Sequence, residues 1–387
     1  MNASHPRLFA ISVVLSALAA CGSGDGSVTS NPDDRTESTT SIGPFTTTTT
    51  VTTTTAADAP TTTSPNSSTT VDLSGGLLPA PDGSFAIGVR ALSLPSAFAF
   101  YPAVAGTGKG ARPYFDPRLL TASGLEETLF DGAVTSAEID AQPEPGSTPR
   151  PVVIISSGFG SYLEFSTSLV ERIASHGYVV IAVQPAVAAE AAVETPTEAM
   201  RDARLEQMTA ALDYLVDPNF TELVGPIDLD RVAVGGHSYA GSIAFNTALL
   251  DDRVSAVFDL DGSLFDAAQT TATPVPSLIL SAMGGSAQDE RIASLLLDAP
   301  STVAVGLLGA THFDLTDMPA LAADPNLAAV LPNSGLGTIG PTATTDTSTI
   351  VIRFLDAALG RVPRLPTARE LAVGVPSAVL DPFAIGG

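Results

Sequence analysis

Apolar and polar positions change period along this chain, and the changes divide it into elements. Phe85–Leu92 and Ala97–Ala103 alternate or run apolar and stop at turn residues, which predicts two strands at an antiparallel start. From Pro151 onward the pattern becomes short continuous apolar runs, as expected of strands buried on both faces of a parallel sheet. Those runs are Pro151–Ile155, Tyr178–Val183, Arg231–Val234, Val254–Leu260, Pro276–Ser281 and Thr302–Leu307. Between them apolar residues recur at helical spacing. Phe165, Leu169, Ile173 and Ala174 mark a helix over 164–175, and Leu205, Met208, Ala211, Leu212 and Leu215 one over 196–215. Further helices are predicted over Tyr239–Leu249, Asp289–Leu297 and Thr347–Leu359. Residues 105–150, rich in Gly, Pro and acids, carry no assignable period. Strand and helix alternate from 151 to 359. The expectation is an α/β fold with a mostly parallel central sheet, helices on both faces and a ligand site at the strand C-termini.

The first seventy-odd residues follow no such pattern. Arg7, the apolar stretch Leu8–Leu15 and the small residues ahead of Cys21 describe an export signal over residues 1–20, too short to span a membrane stably. Leu18-Ala19-Ala20-Cys21 also resembles a bacterial lipobox, in which the signal is cut before a cysteine that receives a lipid. Cys21 is the sole cysteine of the 387 residues, so no disulfide or thiol chemistry competes for it. Residues 21–74 are largely Thr, Ser, Pro, Asp and Gly, with threonine runs at 46–50 and 52–55. They hold too little apolar surface to offset the entropy of ordering, and read as a solvated tether for a domain spanning 75–362. A weakly patterned tail, 363–387, follows. The net charge of −24 becomes one unit more negative once Arg7 leaves with the signal. Phosphates would repel such a chain, which argues against nucleic acid. It would also gain nothing by charge from an anionic membrane, so attachment would rest on lipid at Cys21.

The chemistry concentrates in Val232-Ala233-Val234-Gly235-Gly236-His237-Ser238-Tyr239-Ala240-Gly241. A β-branched run stops at two glycines, a serine follows, and small residues come after it. An ordinary glycine-rich turn can read this way, but so does a strand-to-helix elbow that exposes a nucleophilic serine. Ser238 then needs a base, and the chain past residue 20 has three histidines. His237 adjoins the serine, where the backbone points it away. His176 ends a helix before Gly177, in a capping or packing place. His312 remains, just past an apolar strand and Gly309. The acid that orients the base should stand at a strand end. Asp261 lies at a loop mouth before Gly262; Asp259, one pleat earlier, would need another buried partner. Asp261 is the better candidate. An oxyanion needs two prearranged backbone donors. The N–H of Tyr239 is one, and the glycine-flanked Phe159 in Ser156-Ser157-Gly158-Phe159-Gly160 supplies the other.

Together these residues resemble the platelet-activating-factor acetylhydrolase group of α/β hydrolases, in its bacterial esterase branch. The resemblance covers roughly residues 83–358. It is carried by Ser157–Gly160, Ile173–Val180, Gly236–Gly241, Leu260-Asp261-Gly262 and Thr311-His312-Phe313, with Asp317 beyond. It implies an α/β-hydrolase fold, a Ser238–Asp261–His312 triad, oxyanion donors at Phe159 and Tyr239, and hydrolysis of small-molecule or lipid esters. No metal or organic cofactor is implied. Two positions depart from the group's pattern: Ser157 stands where a histidine is usual, and Ala240 where a glycine is. Two other readings stay open. One is an enzyme acting on polyesters or cutin-like polymers, against which stand the lack of tryptophan and an acid one strand earlier than in those enzymes. The other is a surface binding module that kept the fold without the chemistry.

Overall fold

The computed structural model describes residues 76–283, 301–331 and 335–380. The export signal, Cys21 and the tether lie outside the described residues, as does the helix predicted over Asp289–Leu297.

Ten strands of the described residues form one sheet. In chain order they are β1 (Ala86–Ala91), β2 (Ala97–Ala103), β3 (Ala137–Ile139), β4 (Arg150–Ser156), β5 (Val179–Val183), β6 (Ile227–His237), β7 (Ala256–Leu260), β8 (Ser277–Ala282), β9 (Thr302–Leu307) and β10 (Ala378–Val379). Their spatial order is β10-β9-β8-β7-β6-β4-β5-β2-β1-β3. From β5 across to β9 every pairing is parallel. β2 runs antiparallel to both β1 and β5, which is the predicted antiparallel start. The chain leaves β4 for β5 on one side and returns to β6 on the other. That reversal opens a crevice at the C-terminal ends of β4 and β6.

Ten helices accompany the sheet: α1 (Pro117–Ala122), α2 (Thr167–Ser175), α3 (Val187–Glu190), α4 (Glu198–Tyr214), α5 (Phe220–Val224), α6 (Tyr239–Leu250), α7 (Met318–Leu321), α8 (Pro325–Val330), α9 (Thr342–Ala358) and α10 (Ala368–Leu371) among the described residues. Successive strand residues feed opposite cores, which is why the strands read as unbroken apolar runs. Val153, Ile155, Val180 and Phe258 pack with Leu169 and Ile173 of α2 and Ile350 and Phe354 of α9. Val152, Ile154, Val179, Val232 and Val257 pack with Met208 and Leu212 of α4 and Ile243 of α6. Each such side chain contributes about 1.5–3 kcal/mol on burial.

Four elements differ from expectation, each for a visible reason. β6 begins at Ile227, because its exposed first half alternates with aspartates and hides the strand pattern. The helix expected from 164 opens as a 3-10 turn, Leu163–Ser166. α9 begins five residues early, at Thr342; its first turns bury Ala343, Thr344, Thr347 and Ser348, small side chains that score as polar in a hydropathy pattern. Finally, residues 363–380 are built into the domain. Leu371 of α10 is buried, and β10 adds to the sheet through Ala378↔Leu307 and Val379↔Gly306.

Candidate functional site

Ser238 joins β6 to α6 with φ 59° and ψ −129°, a left-handed conformation that costs a non-glycine residue of order 1–3 kcal/mol. The neighbouring glycines make this turn possible. The Phe258 ring covers Gly235, so a side chain there would overlap it. A Cβ at Gly236 would stand 2.6 Å from the Ala240 Cβ and 2.7 Å from the Ser156 carbonyl oxygen. Ala240 is therefore accommodated because its methyl occupies the space that Gly236 leaves empty. Gly241 in turn abuts the Asp259 carboxyl. The result holds Ser238 at the N-terminal end of a 12-residue helix, where the dipole favours developing negative charge.

The two candidate acids separate cleanly. Asp259 is fully buried; its oxygens accept the Gly262 N–H at 2.9 and 3.1 Å. Burial, reinforced by the nearby Asp261 carboxylate, pushes its pKa well above the ordinary carboxylate range. It wedges the elbow against Gly241 and Gly262. Asp261 follows with φ 57°, which swings its side chain out of the strand pleat. Its Oδ2 lies 2.7 Å from His312 Nδ1, while Oδ1 accepts the Ala282 N–H at 2.7 Å. With Nδ1–H donated to Asp261, the imidazole keeps Nε2 as its basic nitrogen.

His312 opens a 3-10 turn, His312–Leu315, after β9. Asp314 closes that turn by accepting the Thr311 N–H and hydroxyl, each at 2.7 Å, and the Gly337 N–H at 2.6 Å. His237, set aside as pointing away from the serine, has a supporting place. Its Nε2–H donates to the His312 carbonyl at 2.8 Å, and the two rings lie 4.4 Å apart. Burial, with a smaller contribution from His312, lowers the His237 pKa to about 3, so it is neutral and can serve as that donor. His176 ends α2 and pairs with Asp82 at 2.9 Å. Asp317 lies elsewhere: its carboxylate accepts the Ser168 N–H in the first turn of α2 and the Tyr114 hydroxyl.

The loop after β4 borders the serine, since a Cβ on Gly158 would come 3.1 Å from Ser238 Cβ. The Phe159 ring meets Tyr239 edge-on at 5.6 Å. Ser157, the departure from the usual histidine, ties the loop to itself by donating to the Ser161 carbonyl at 2.7 Å. Beneath the loop lie two residues the sequence pattern did not single out, Arg204 of α4 and Glu190 of α3, in a buried bidentate ion pair at 2.6 and 2.8 Å. Arg204 falls four residues before Met208, on the stripe that faces the sheet; that placement is the one signal the sequence carried. Among the described residues, no group of three or more His, Cys, Asp and Glu side chains could hold a metal ion.

A solved ferulic acid esterase from Streptomyces cinnamoneus superposes with a TM-score of 0.59 at 24% identity, over 78% of this chain and 97% of that one. This chain has the α/β-hydrolase fold. Within this fold, residues 142–298 match the family model described as PETase, PET hydrolase-like. Cutinase 2 of Thermobifida cellulosilytica is 30% identical over 171 residues, 42% of this chain and 60% of that protein. Cutinase cut1 of Thermobifida fusca is also 30% identical over 171 residues, covering 49% of its own length. The chain thus spans about a third to three-fifths of the curated relatives it matches. The matched stretch contains Phe159, Ser238 and Asp261 and stops short of His312.

Proposed function

We propose that this α/β hydrolase cleaves carboxylic esters through an acyl-enzyme formed on Ser238. His312 Nε2 takes the hydroxyl proton as Ser238 Oγ bonds to the ester carbon. The carbonyl oxygen becomes an oxyanion held by the Phe159 and Tyr239 amides, and Asp261 steadies the imidazolium. Collapse breaks the ester C–O bond and the leaving alcohol takes the proton. Water then repeats the sequence and frees the acid. The observation that carries this reading is the 2.7 Å His312–Asp261 bond at the sheet end where Ser238 sits in its left-handed turn. The names of the matched proteins, cutinases and a ferulic acid esterase, support the same reaction class.

Two substrate classes have specific support. A small or lipid ester of the platelet-activating-factor type fits an acid at the end of β7, the strand that follows the nucleophile strand. A cutin-like or polyester substrate fits the PETase-like model match and the cutinase relatives. A buried aromatic cluster that includes Phe313, beside His312, and Phe115 packed on Phe165 and Tyr162 lies on the His312 side of the site. We place the protein on the outer face of the cell membrane, anchored by lipid on Cys21. The lipobox-like Leu18–Cys21 supports that placement, and Cys21→Ser should release the protein into the medium.

The decisive experiment compares wild type with Ser238→Ala on 4-nitrophenyl acetate, with fluorophosphonate labelling alongside. Loss of at least about 10⁴-fold in turnover is expected, with labelling confined to Ser238. Unchanged turnover in the variant would remove the mechanism; an unlabelled wild type would favour a binding module. A panel of acetyl, phospholipid and polymer esters then separates the two substrate classes.

A further inference from the structure

We propose that Arg204 and Glu190 are positioning residues that aim the oxyanion donors, an inference that rests on the ester-hydrolase reading. A guanidinium has five N–H donors, and here each meets an acceptor. Nε and one Nη2 hydrogen go to the Glu190 oxygens at 2.6 and 2.8 Å. Nη1 donates to Ser156 Oγ at 2.8 Å and to the Ser157 carbonyl at 3.1 Å, and Nη2 to the Gly158 carbonyl at 3.0 Å. Glu190 Oε2 also accepts the Gly160 N–H at 2.7 Å. The pair therefore grips the loop on both sides of Phe159, and both side chains are only 4% exposed.

The geometry has a direct catalytic consequence. The peptide joining Gly158 to Phe159 is planar and trans, so its C=O and N–H point in opposite directions. Drawing the Gly158 carbonyl down onto Arg204 turns the Phe159 N–H the other way. The same guanidinium lies 5.8 Å from the centre of the Tyr239 ring, whose edge packs on Phe159. One buried cation thus holds the carbonyl of the peptide whose N–H is the Phe159 donor and lies over the ring of Tyr239, which carries the other. Stability alone does not account for the pair, because two charges taken out of water cost more than a well-packed apolar pair of similar size. Their place under this one loop fits a need for fixed orientation.

The test uses Arg204→Lys, which keeps the charge but loses the planar fork, and Glu190→Gln, which keeps the shape but loses the charge. Active sites are counted by fluorophosphonate titration. For both variants kcat per active site on 4-nitrophenyl acetate should fall about 10–100-fold with KM within about threefold. The inhibition constant of an alkyl boronic acid, which forms a tetrahedral adduct on Ser238, should rise by the same factor. A residue that only stabilises the fold would reduce the number of active sites and leave both quantities unchanged per site; that result overturns the proposal. If Arg204→Lys does not fold, Glu190→Gln is judged by the same criteria. Failure of the wild type to turn over esters or label at Ser238 strikes the ester-hydrolase reading instead, so the two failures are distinct.

Discussion

The two loops that flank Ser238 are held in opposite ways. The loop after β4 sits on a buried ion pair, with Arg204 donating to its carbonyls and Glu190 accepting its Gly160 N–H. The loop after β9 is held by other means. Its shape comes from Asp314 within the 3-10 turn, the neutral His237 donor and the Asp261 carboxylate on the ring of His312. The difference follows from what each loop has to do in the proposed reaction. Amide donors must keep one orientation throughout the cycle, and a planar guanidinium fork hydrogen-bonded to the loop carbonyls serves that. A base must gain and lose a proton, so its neighbours have to stabilise imidazolium while adding no fixed positive charge beside it.

The largest effect should come from breaking the base side. Asp261→Asn retains shape but presents an amide that can donate to Nδ1, which would place the proton on Nε2 and remove the basic nitrogen. A loss of about 10⁴-fold in kcat is expected. Asp259→Asn, one pleat away, is the matched control. Burial pushes that carboxyl well above the ordinary carboxylate range and its oxygens accept the Gly262 N–H, so an amide of the same shape should leave kcat within a few-fold of wild type. Steady-state kinetics on both variants checks the contrast; equal losses would mean that Asp259 shares in the chemistry.

A smaller effect, on stability, should come from the neutral support. Burial lowers the His237 pKa to about 3 from the ordinary 6.5. Between those values the unfolded chain binds the extra proton and the folded chain does not. The contribution of neutral His237 is therefore fully present above pH 6.5 and is lost as pH falls, by on the order of 3 kcal/mol at pH 4. His237→Gln keeps an N–H donor for the His312 carbonyl and removes the titration. Its thermal midpoint should fall less than that of wild type between pH 7 and pH 4. An equal fall in both proteins would mean that other groups drive the acid response.

These contrasts also show why parts of the molecule were legible in sequence and others were not. Buried parallel strands announce themselves: Val152–Ile155 and Val179–Val183 send alternate residues into two apolar cores, so no polar residue interrupts them. The elbow is legible because its turn admits almost no side chain at Gly235 and Gly236. His312 could be proposed by elimination, since so few histidines exist, and Asp261 from its place at a strand end before Gly262. The Arg204–Glu190 pair could not. The partners lie 14 residues apart on separate helices, and a charged residue on an apolar stripe reads as the stripe's edge until its counter-charge is seen. β10 was hidden for another reason: two residues pairing on an edge leave no period to detect.

The elbow between the two loops supplies the smallest test, because its departure from the usual pattern is a single methyl. Ala240 is fully buried in the first turn of α6, and its Cβ would meet any Cβ at Gly236 at 2.6 Å. The turn thus has room for one methyl across the two positions, and here residue 240 carries it. Ala240→Gly removes the methyl without disturbing the Ser238 turn. The cost should be about 1 kcal/mol from glycine's greater unfolded-state freedom, plus about 0.8 kcal/mol from lost apolar burial. In kcat the variant should stay within about threefold of wild type, because neither the Asp261–His312 bond nor the Arg204 contacts pass through that methyl. Denaturant unfolding and ester kinetics on the one variant separate the two effects. A tenfold change in kcat with unchanged stability would instead place the Ala240 methyl on the wall of the acyl site, a third support for Ser238 beside its two loops.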